Sequence, residues 1–233
     1  MIKMVKFKKH NKFDGIFLSG YKETQKIYTI NLDFNKSVYG EKLLLDGDLQ
    51  YREWNPFRSK LCAAIKCNAR KIFINPSSKV LYLGASSGTT VSHISDIVTK
   101  GIIYAIEFSS RSLRELVQNS VDRQNVIPIL GDANQPHEYL KFITGAIDII
   151  YMDVAQPNQS EILIKNAKMY LKPGVGKFIY TVKSRSIDSI ANPKEIFAKE
   201  IKTLEENGLM VTDNVNITSF QTDHVVLFGR YQE

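Results

Sequence analysis

From residue 84 the chain reads Gly84-Ala-Ser-Ser-Gly-Thr-Thr-Val, directly after the apolar run Lys79-Val-Leu-Tyr-Leu. A glycine-bearing turn that leaves a strand and opens a helix offers free backbone N–H groups and the positive end of a helix dipole to a ligand. Three chemistries use such a turn. The string matches G-x-S-x-G, the nucleophile elbow of hydrolases, but that elbow lies deep in its sheet with an acid and a histidine to follow, whereas Ser86 follows the first strand of its region. A dinucleotide turn needs G-x-G-x-x-G, and Gly84 and Gly88 lack the middle glycine that lets a pyrophosphate approach, which argues against a nicotinamide oxidoreductase. What remains is a ligand without phosphate whose adenosine and amino-acid parts need a turn, hydroxyls and a distant acid, a description that S-adenosylmethionine fits. The acids are present: Glu107 closes the second apolar run, where a carboxylate can accept both ribose hydroxyls, and Asp132 follows the third, within reach of an adenine amino group.

These residues need a scaffold that brings successive strand ends together. From about Ser78 onward, short apolar runs alternate with helical stretches: strands at Lys79–Leu83, Ile102–Ile106, Val126–Leu130, Ala146–Met152 and Gly176–Val182, helices at Thr89–Thr99, Ser110–Ser120, Gln159–Leu171 and Pro193–Asn207. Nearly continuous apolar strands alternating with helices predict an α/β fold with a parallel, doubly wound sheet. Pro193 suits a first helical turn and Gly208 a helix stop. Two further strands are expected from Leu209-Met-Val and from His224-Val-Val-Leu-Phe-Gly. Before this region, Gly15-Ile-Phe-Leu, Gln25–Ile30 and Lys42-Leu-Leu-Leu, with the turn Asp46-Gly-Asp, predict a small antiparallel β unit. The expected division is therefore 1–54 and 55–233.

The 233 residues are 43% hydrophobic and 24% charged, which excludes a disordered chain or a disulfide-built mini-protein. Lys and Arg number 31 against 24 Asp and Glu, a net charge of +7 that favours a polyanionic partner. Basic clusters run from Lys3 to Lys12 and from Arg58 to Lys71; Arg58, Lys66, Arg70 and Lys71 are the expected phosphate contacts. Nothing resembles an RNA-recognition module with stacking aromatics, so sequence choice has to come from elsewhere. Cys62 and Cys67 fit no metal pattern and are expected as reduced packing residues, with no metal site. The N-terminus lacks the apolar segment of a secretory signal and no stretch of 18 uncharged apolar residues occurs, so the expected location is the cytoplasm, with no membrane contact.

Three longer strings carry a resemblance: Tyr51-Arg-Glu-Trp-Asn-Pro-Phe-Arg-Ser-Lys-Leu, Tyr82-Leu-Gly-Ala-Ser-Ser-Gly-Thr-Thr-Val-Ser-His, and Asp153-Val-Ala-Gln-Pro. They look like the hallmark strings of fibrillarin, the 2′-O-methyltransferase subunit of box C/D guide ribonucleoproteins that act on pre-rRNA and tRNA. The resemblance spans essentially the whole chain and lacks a glycine- and arginine-rich extension, so it is to the archaeal form. It implies a class I S-adenosylmethionine-dependent methyltransferase fold: a Rossmann-like sheet of seven strands, the last antiparallel, beside a small N-terminal β domain. Implied donor contacts are Gly84, Ala85, Thr89 and Thr90 at the turn, Glu107 and Phe108, Asp132 and Ala133, and Asp153, Val154, Ala155 and Gln156. The implied catalytic set is Lys60, Asp153, Lys183 and His224. Implied partners are a Nop-domain scaffold protein, a kink-turn-binding ribosomal-type protein, the guide RNA and its target. S-adenosylhomocysteine is the implied product.

The chain departs from the family pattern at Asn134, where an arginine is usual, at Asn158, where an aspartate is usual, and in the Thr181-Val-Lys-Ser stretch around its retained lysine. The implied chemistry matches the residue types. A ribose 2′-hydroxyl is a poor nucleophile, so a site must orient it and help its proton leave. Two ammonium groups favour a developing alkoxide, a carboxylate fixes a lysine or relays a proton, and a histidine accepts one near neutrality. The residue types leave open which group is the base. The main alternative is a ribonucleoprotein assembly subunit with secondary methyltransferase activity; glutamine methylation, another activity in the family, has no feature here that speaks for it.

Overall fold

A computed structural model describes residues 6–21 and 24–232. Lys3, at the start of the first basic cluster, lies outside the described residues. The N-terminal sheet contains β1 (Lys8–Lys9), β2 (Ile16–Ser19), β3 (Lys26–Ile30), β4 (Leu43–Asp46) and β5 (Leu49–Trp54), in the antiparallel order β1-β2-β3-β5-β4. Gly47 turns between β4 and β5 with φ +60°, and Asp46 pairs with Leu49, as the Asp-Gly signal predicts.

The large sheet contains β6 (Lys79–Leu83), β7 (Ile102–Glu107), β8 (Val126–Leu130), β9 (Ile149–Met152), β10 (Lys177–Lys183), β11 (Leu209–Asn216) and β12 (His224–Tyr231). Their order is β11-β12-β10-β9-β6-β7-β8. β12 runs antiparallel to both β10 and β11, while the pairs among β6 to β10 are parallel. Buried apolar strands make this possible: every residue of β9 and five of the seven in β10 are buried.

Helices α1 (Lys60–Lys66), α2 (Thr89–Ile97), α3 (Ser110–Ser120), α4 (Gln159–Tyr170), α5 (Ser184–Ile187) and α6 (Pro193–Glu205) accompany the sheet. The predicted helices are present, ending within two residues of expectation. Asn192 caps α6 by accepting from the Lys194 N–H, with Pro193 in the first turn. Elements not predicted include β1, α5 and a 3-10 segment at Pro136–Phe142. β9 begins at Ile149 rather than Ala146; Ile147 forms only an isolated bridge to Leu171. β11 extends five residues past the expected Leu209-Met-Val, with a bulge between Val211 and Asp213.

The two sheets share an apolar core. Phe13, Ile16, Ile27 and Trp54 from the first pack in one cluster with Leu61, Ile94 and Ile97. Beside that cluster lies a buried polar junction. Arg52 of β5 donates to Glu41 (Nε–Oε1 2.9 Å) and to Asp96 of α2 (Nη1–Oδ2 3.2 Å). Arg123 reaches the other Asp96 oxygen at 2.6 Å. Burial, reinforced by Arg52 and Arg123, holds the His93 imidazole well below its ordinary pKa, so it is neutral. Its Nδ1 lies 2.8 Å from Thr29 Oγ1, whose own proton goes to Asp96 at 2.6 Å, and its Nε2 lies 2.8 Å from the Tyr39 hydroxyl. Among the described residues no helix is long and apolar enough to cross a membrane.

Candidate active site

The strand order reverses between β6 and β9, and a doubly wound sheet opens a crevice at the carboxyl ends of its strands there. Gly84 ends β6 with φ +82°, and a Cβ built on it would lie 2.6 Å from the Asp153 carbonyl oxygen. Only glycine permits both the left-handed backbone and this approach. A cavity of about 350 Å³ fills the crevice, lined by Gly84, Ser86, Glu107, Phe108, Asp132, Ala133 and Asn134 on one side and by Asp153 to Gln156 and Lys183 on the other.

Local hydrogen bonds set the cavity walls. The Glu107 carboxylate accepts from the Ser86 N–H (2.7 Å) and from the Ser109 N–H (2.8 Å), which ties the glycine turn to the start of α3. Asp132 accepts from the Asn134 N–H at 2.8 Å. The Phe108 ring is 72% exposed beside this wall, a flat apolar surface with nothing packed over it. Ala85 is buried, its N–H donating to the Ile106 carbonyl. Thr89 and Thr90 open α2 behind the glycine turn rather than lining the cavity. Thr90 Oγ1 donates instead to Ser59 Oγ at 3.0 Å, and Ser59 is the N-cap of α1.

That cap places Lys60. As the first residue of α1, Lys60 extends its Nζ to 3.0 Å from Asp153 Oδ2. From the end of β10, Lys183 brings its Nζ to 3.0 Å from Asp153 Oδ1 and 3.3 Å from the Asp153 carbonyl oxygen. One carboxylate thus stands between two ammonium groups. Burial pushes the Asp153 carboxyl up, but the attraction of Lys60 and then Lys183 outweighs it, and the pKa falls below the usual carboxylate value. Asp153 is ionised, and the cluster keeps a net positive charge. His224 pairs in register with Lys183 across β10 and β12. Its Nδ1 lies 2.6 Å from the Thr222 carbonyl, which can only accept, so Nδ1 carries the proton and Nε2 keeps its lone pair. Burial, and then the ammonium groups, hold the imidazole below its ordinary value against the opposing effect of the Thr222 bond.

The four expected basic contacts do not form one patch. Lys66 Nζ is bonded to the Gln25 carbonyl at 2.6 Å, and the Arg58 guanidinium lies 5.8 Å from the Tyr39 ring centre. Arg70 and Lys71 instead border a separate hollow with Arg230 and Asp213. Asn134 and Asn158, which depart from the expected pattern, meet each other: Asn158 Nδ2 donates to Asn134 Oδ1 at 3.1 Å. Sequence reasoning missed Asn134 and Ser86 in the cavity wall. Ser86 was already visible inside the glycine string; nothing short of the fold brings Asn134 to Asn158.

This architecture, a seven-stranded sheet with β12 antiparallel and a ligand cleft at the switch point, is that of the class I S-adenosylmethionine-dependent methyltransferases. The fibrillarin family model matches residues 7–233. A fibrillarin-like rRNA/tRNA 2′-O-methyltransferase of Methanocaldococcus jannaschii is 50% identical over 208 residues, 89% of this chain and 90% of that protein. Aeropyrum pernix fibrillarin, solved with natively bound S-adenosyl-L-methionine, superposes with a TM-score of 0.89 at 38% identity, covering 98% of this chain and 100% of that one. A chain from a fibrillarin/Nop5p complex superposes with a TM-score of 0.80 at 41% identity, covering 88% and 94%. The chain belongs to the fibrillarin family.

Proposed function

We propose that this protein is an S-adenosylmethionine-dependent RNA ribose 2′-O-methyltransferase, the catalytic subunit of a box C/D guide ribonucleoprotein acting on pre-rRNA and tRNA. The observation that carries the reading is Asp153 held 3.0 Å from both Lys60 and Lys183, at the mouth of a cleft built for a phosphate-free adenosyl ligand. The cleft suits that donor: the Gly84 turn keeps side chains out, Glu107 and Asp132 offer carboxylate oxygens, and Phe108 offers an open ring. When bound, the donor supplies an electrophilic methyl group on a sulfonium. Gly84, Ala85, Glu107, Phe108, Asp132, Ala133 and Asp153 to Gln156 hold it; Thr89 and Thr90 support the turn, Thr90 also through Ser59.

The residues of this chain then act on the acceptor. Lys60 and Lys183 present ammonium protons where negative charge grows on the ribose 2′-oxygen. Asp153 remains ionised between them and fixes both. His224, neutral with a free Nε2, accepts the hydroxyl proton and returns it to water. The basic residues Arg58, Lys66, Arg70 and Lys71 contribute nonspecific attraction for phosphates, leaving target choice to a guide RNA. Partners are a Nop-domain scaffold, as in the fibrillarin/Nop5p complex, and a kink-turn-binding protein, in the cytoplasm. The proposed division is a small N-terminal β domain, 1–54, leaning on a methyltransferase domain, 55–233.

The test is transfer of a labelled methyl group from S-adenosylmethionine to guide-matched RNA, with and without the partner proteins, mapped as resistance to alkaline cleavage. Resistance at one guided nucleotide is the expected result. An assembly that binds the donor and transfers nothing rejects the reading in favour of an assembly subunit.

A further inference from the structure

Gln159 is the first residue of α4 and is fully buried. Its Oε1 accepts from the backbone N–H of Lys183 at 3.1 Å, and its Nε2 donates to the carbonyl of the same residue at 3.2 Å. The partners settle the amide orientation, because a backbone N–H only donates and a carbonyl only accepts. A single side chain thus makes the two-bond exchange that a neighbouring strand would make.

A strand neighbour is missing at that place. β9 pairs with β10 only as far as Met152 opposite Tyr180; beyond it Asp153, still bonded through its N–H to Leu83 of β6, enters the cleft wall. On the other side Lys183 stands opposite His224, and it is Ser184 whose N–H reaches across, to the Asp223 carbonyl at 3.3 Å. Backbone groups alternate sides along a strand, so those of Lys183 face the gap left by β9. The departure of β9 that frees Asp153 would leave the Lys183 backbone unpaired, and Gln159 fills the gap. Tyr180 supports the amide, its hydroxyl lying 3.4 Å from Gln159 Oε1 and donating to Glu200 at 2.6 Å.

We propose that Gln159 is a positioning residue for the transfer reaction, locking the Lys183 backbone so that its ammonium group stays against Asp153. The inference rests on the reading of Lys183 as part of the acceptor site. It is tested in the full guide ribonucleoprotein by single-turnover transfer. Gln159→Ala is expected to slow transfer about 30-fold with donor affinity unchanged, since small misplacements of reacting groups have large effects. In a Lys183→Ala background the same change is expected to matter by less than about 2-fold, because the two residues act as one unit. An equal loss in both backgrounds overturns the proposal, as does a loss explained by weaker donor binding.

A second readout needs no transfer at all. The rate at which an amine-reactive reagent labels Lys183, followed by peptide mass, is expected to rise about 10-fold in Gln159→Ala as local opening becomes easier. Gln159→Glu keeps the acceptor and loses the donor, and serves if the alanine variant does not fold; its labelling rate is expected between the two. Unchanged labelling of Lys183 in the folded variant overturns the proposal. A wild-type assembly without transfer counts against the methyltransferase reading and leaves labelling to decide the role of Gln159.

Discussion

Asp153 stands between two ammonium groups, so neutralising it does more than delete a contact. Asp153→Asn leaves Lys60 and Lys183 repelling each other across 3.0 Å contacts that lose their charge, and the acceptor hydroxyl loses its fixed donors. Single-turnover transfer at saturating donor is expected to fall by roughly 10²–10⁴, the scale of losing positioned acid–base and electrostatic groups. His224 sets the pH dependence. Its folded pKa lies below the ordinary 6.5, and the proposed base works only when neutral. The single-turnover rate is therefore expected to be on a plateau near neutrality and to fall with an acid limb whose midpoint lies below pH 6.5. Replacement by glutamine removes that limb; a limb that persists unchanged in His224→Gln assigns the base elsewhere. Asn134 and Asn158 belong to this scale too. Far apart along the sequence, they are joined in the fold by a 3.1 Å hydrogen bond.

Elements position these groups through close approaches that the sequence discloses unevenly. Gly84→Ala places a Cβ 2.6 Å from the Asp153 carbonyl oxygen and forces φ +82° on an L-residue. The expected cost is roughly 1–3 kcal/mol of stability, read by denaturant unfolding, with a larger proportional loss in donor affinity, read by calorimetry. The five parallel strands were legible because buried strands are continuous apolar runs, and the glycine turn because its residue types restrict the backbone. Other features were not legible. Pro136–Phe142 has no helical apolar period, β11 hides its second half behind a bulge, and α5 is one turn long. Of the site, Glu107, Asp132 and the glycines could be argued from strand ends alone. Lys60, Lys183 and His224 needed the family resemblance, because a lone lysine or histidine carries no local signal. Gln159 carried none at all, since its partner lies 24 residues away.

At the scale of the whole molecule, the N-terminal sheet is joined to the methyltransferase unit by buried charge as well as apolar packing. Arg52, with its side chain fully buried, is paired with Glu41 and Asp96. Arg52→Met leaves buried Glu41 without its guanidinium and Asp96 with Arg123 alone, and is expected to destabilise the protein by about 3–5 kcal/mol. Because Phe13, Ile16, Ile27 and Trp54 share a core cluster with α1 and α2, calorimetry is expected to show a single unfolding transition for both sheets, shifted down as one in the variant. Separate transitions would make 1–54 an autonomous unit. The order of strands in the large sheet bears on how the chain is made. β12 follows β11 in the chain yet lies between β11 and β10, so β11 has no seat until its successor exists. The two form a local antiparallel pair that joins the sheet together, through β12. A chain still emerging from the ribosome, synthesised only as far as β11, already contains Lys60, Asp153 and Lys183 but not His224. Because His224 opens β12, completion of the sheet and arrival of the proposed proton acceptor are one event.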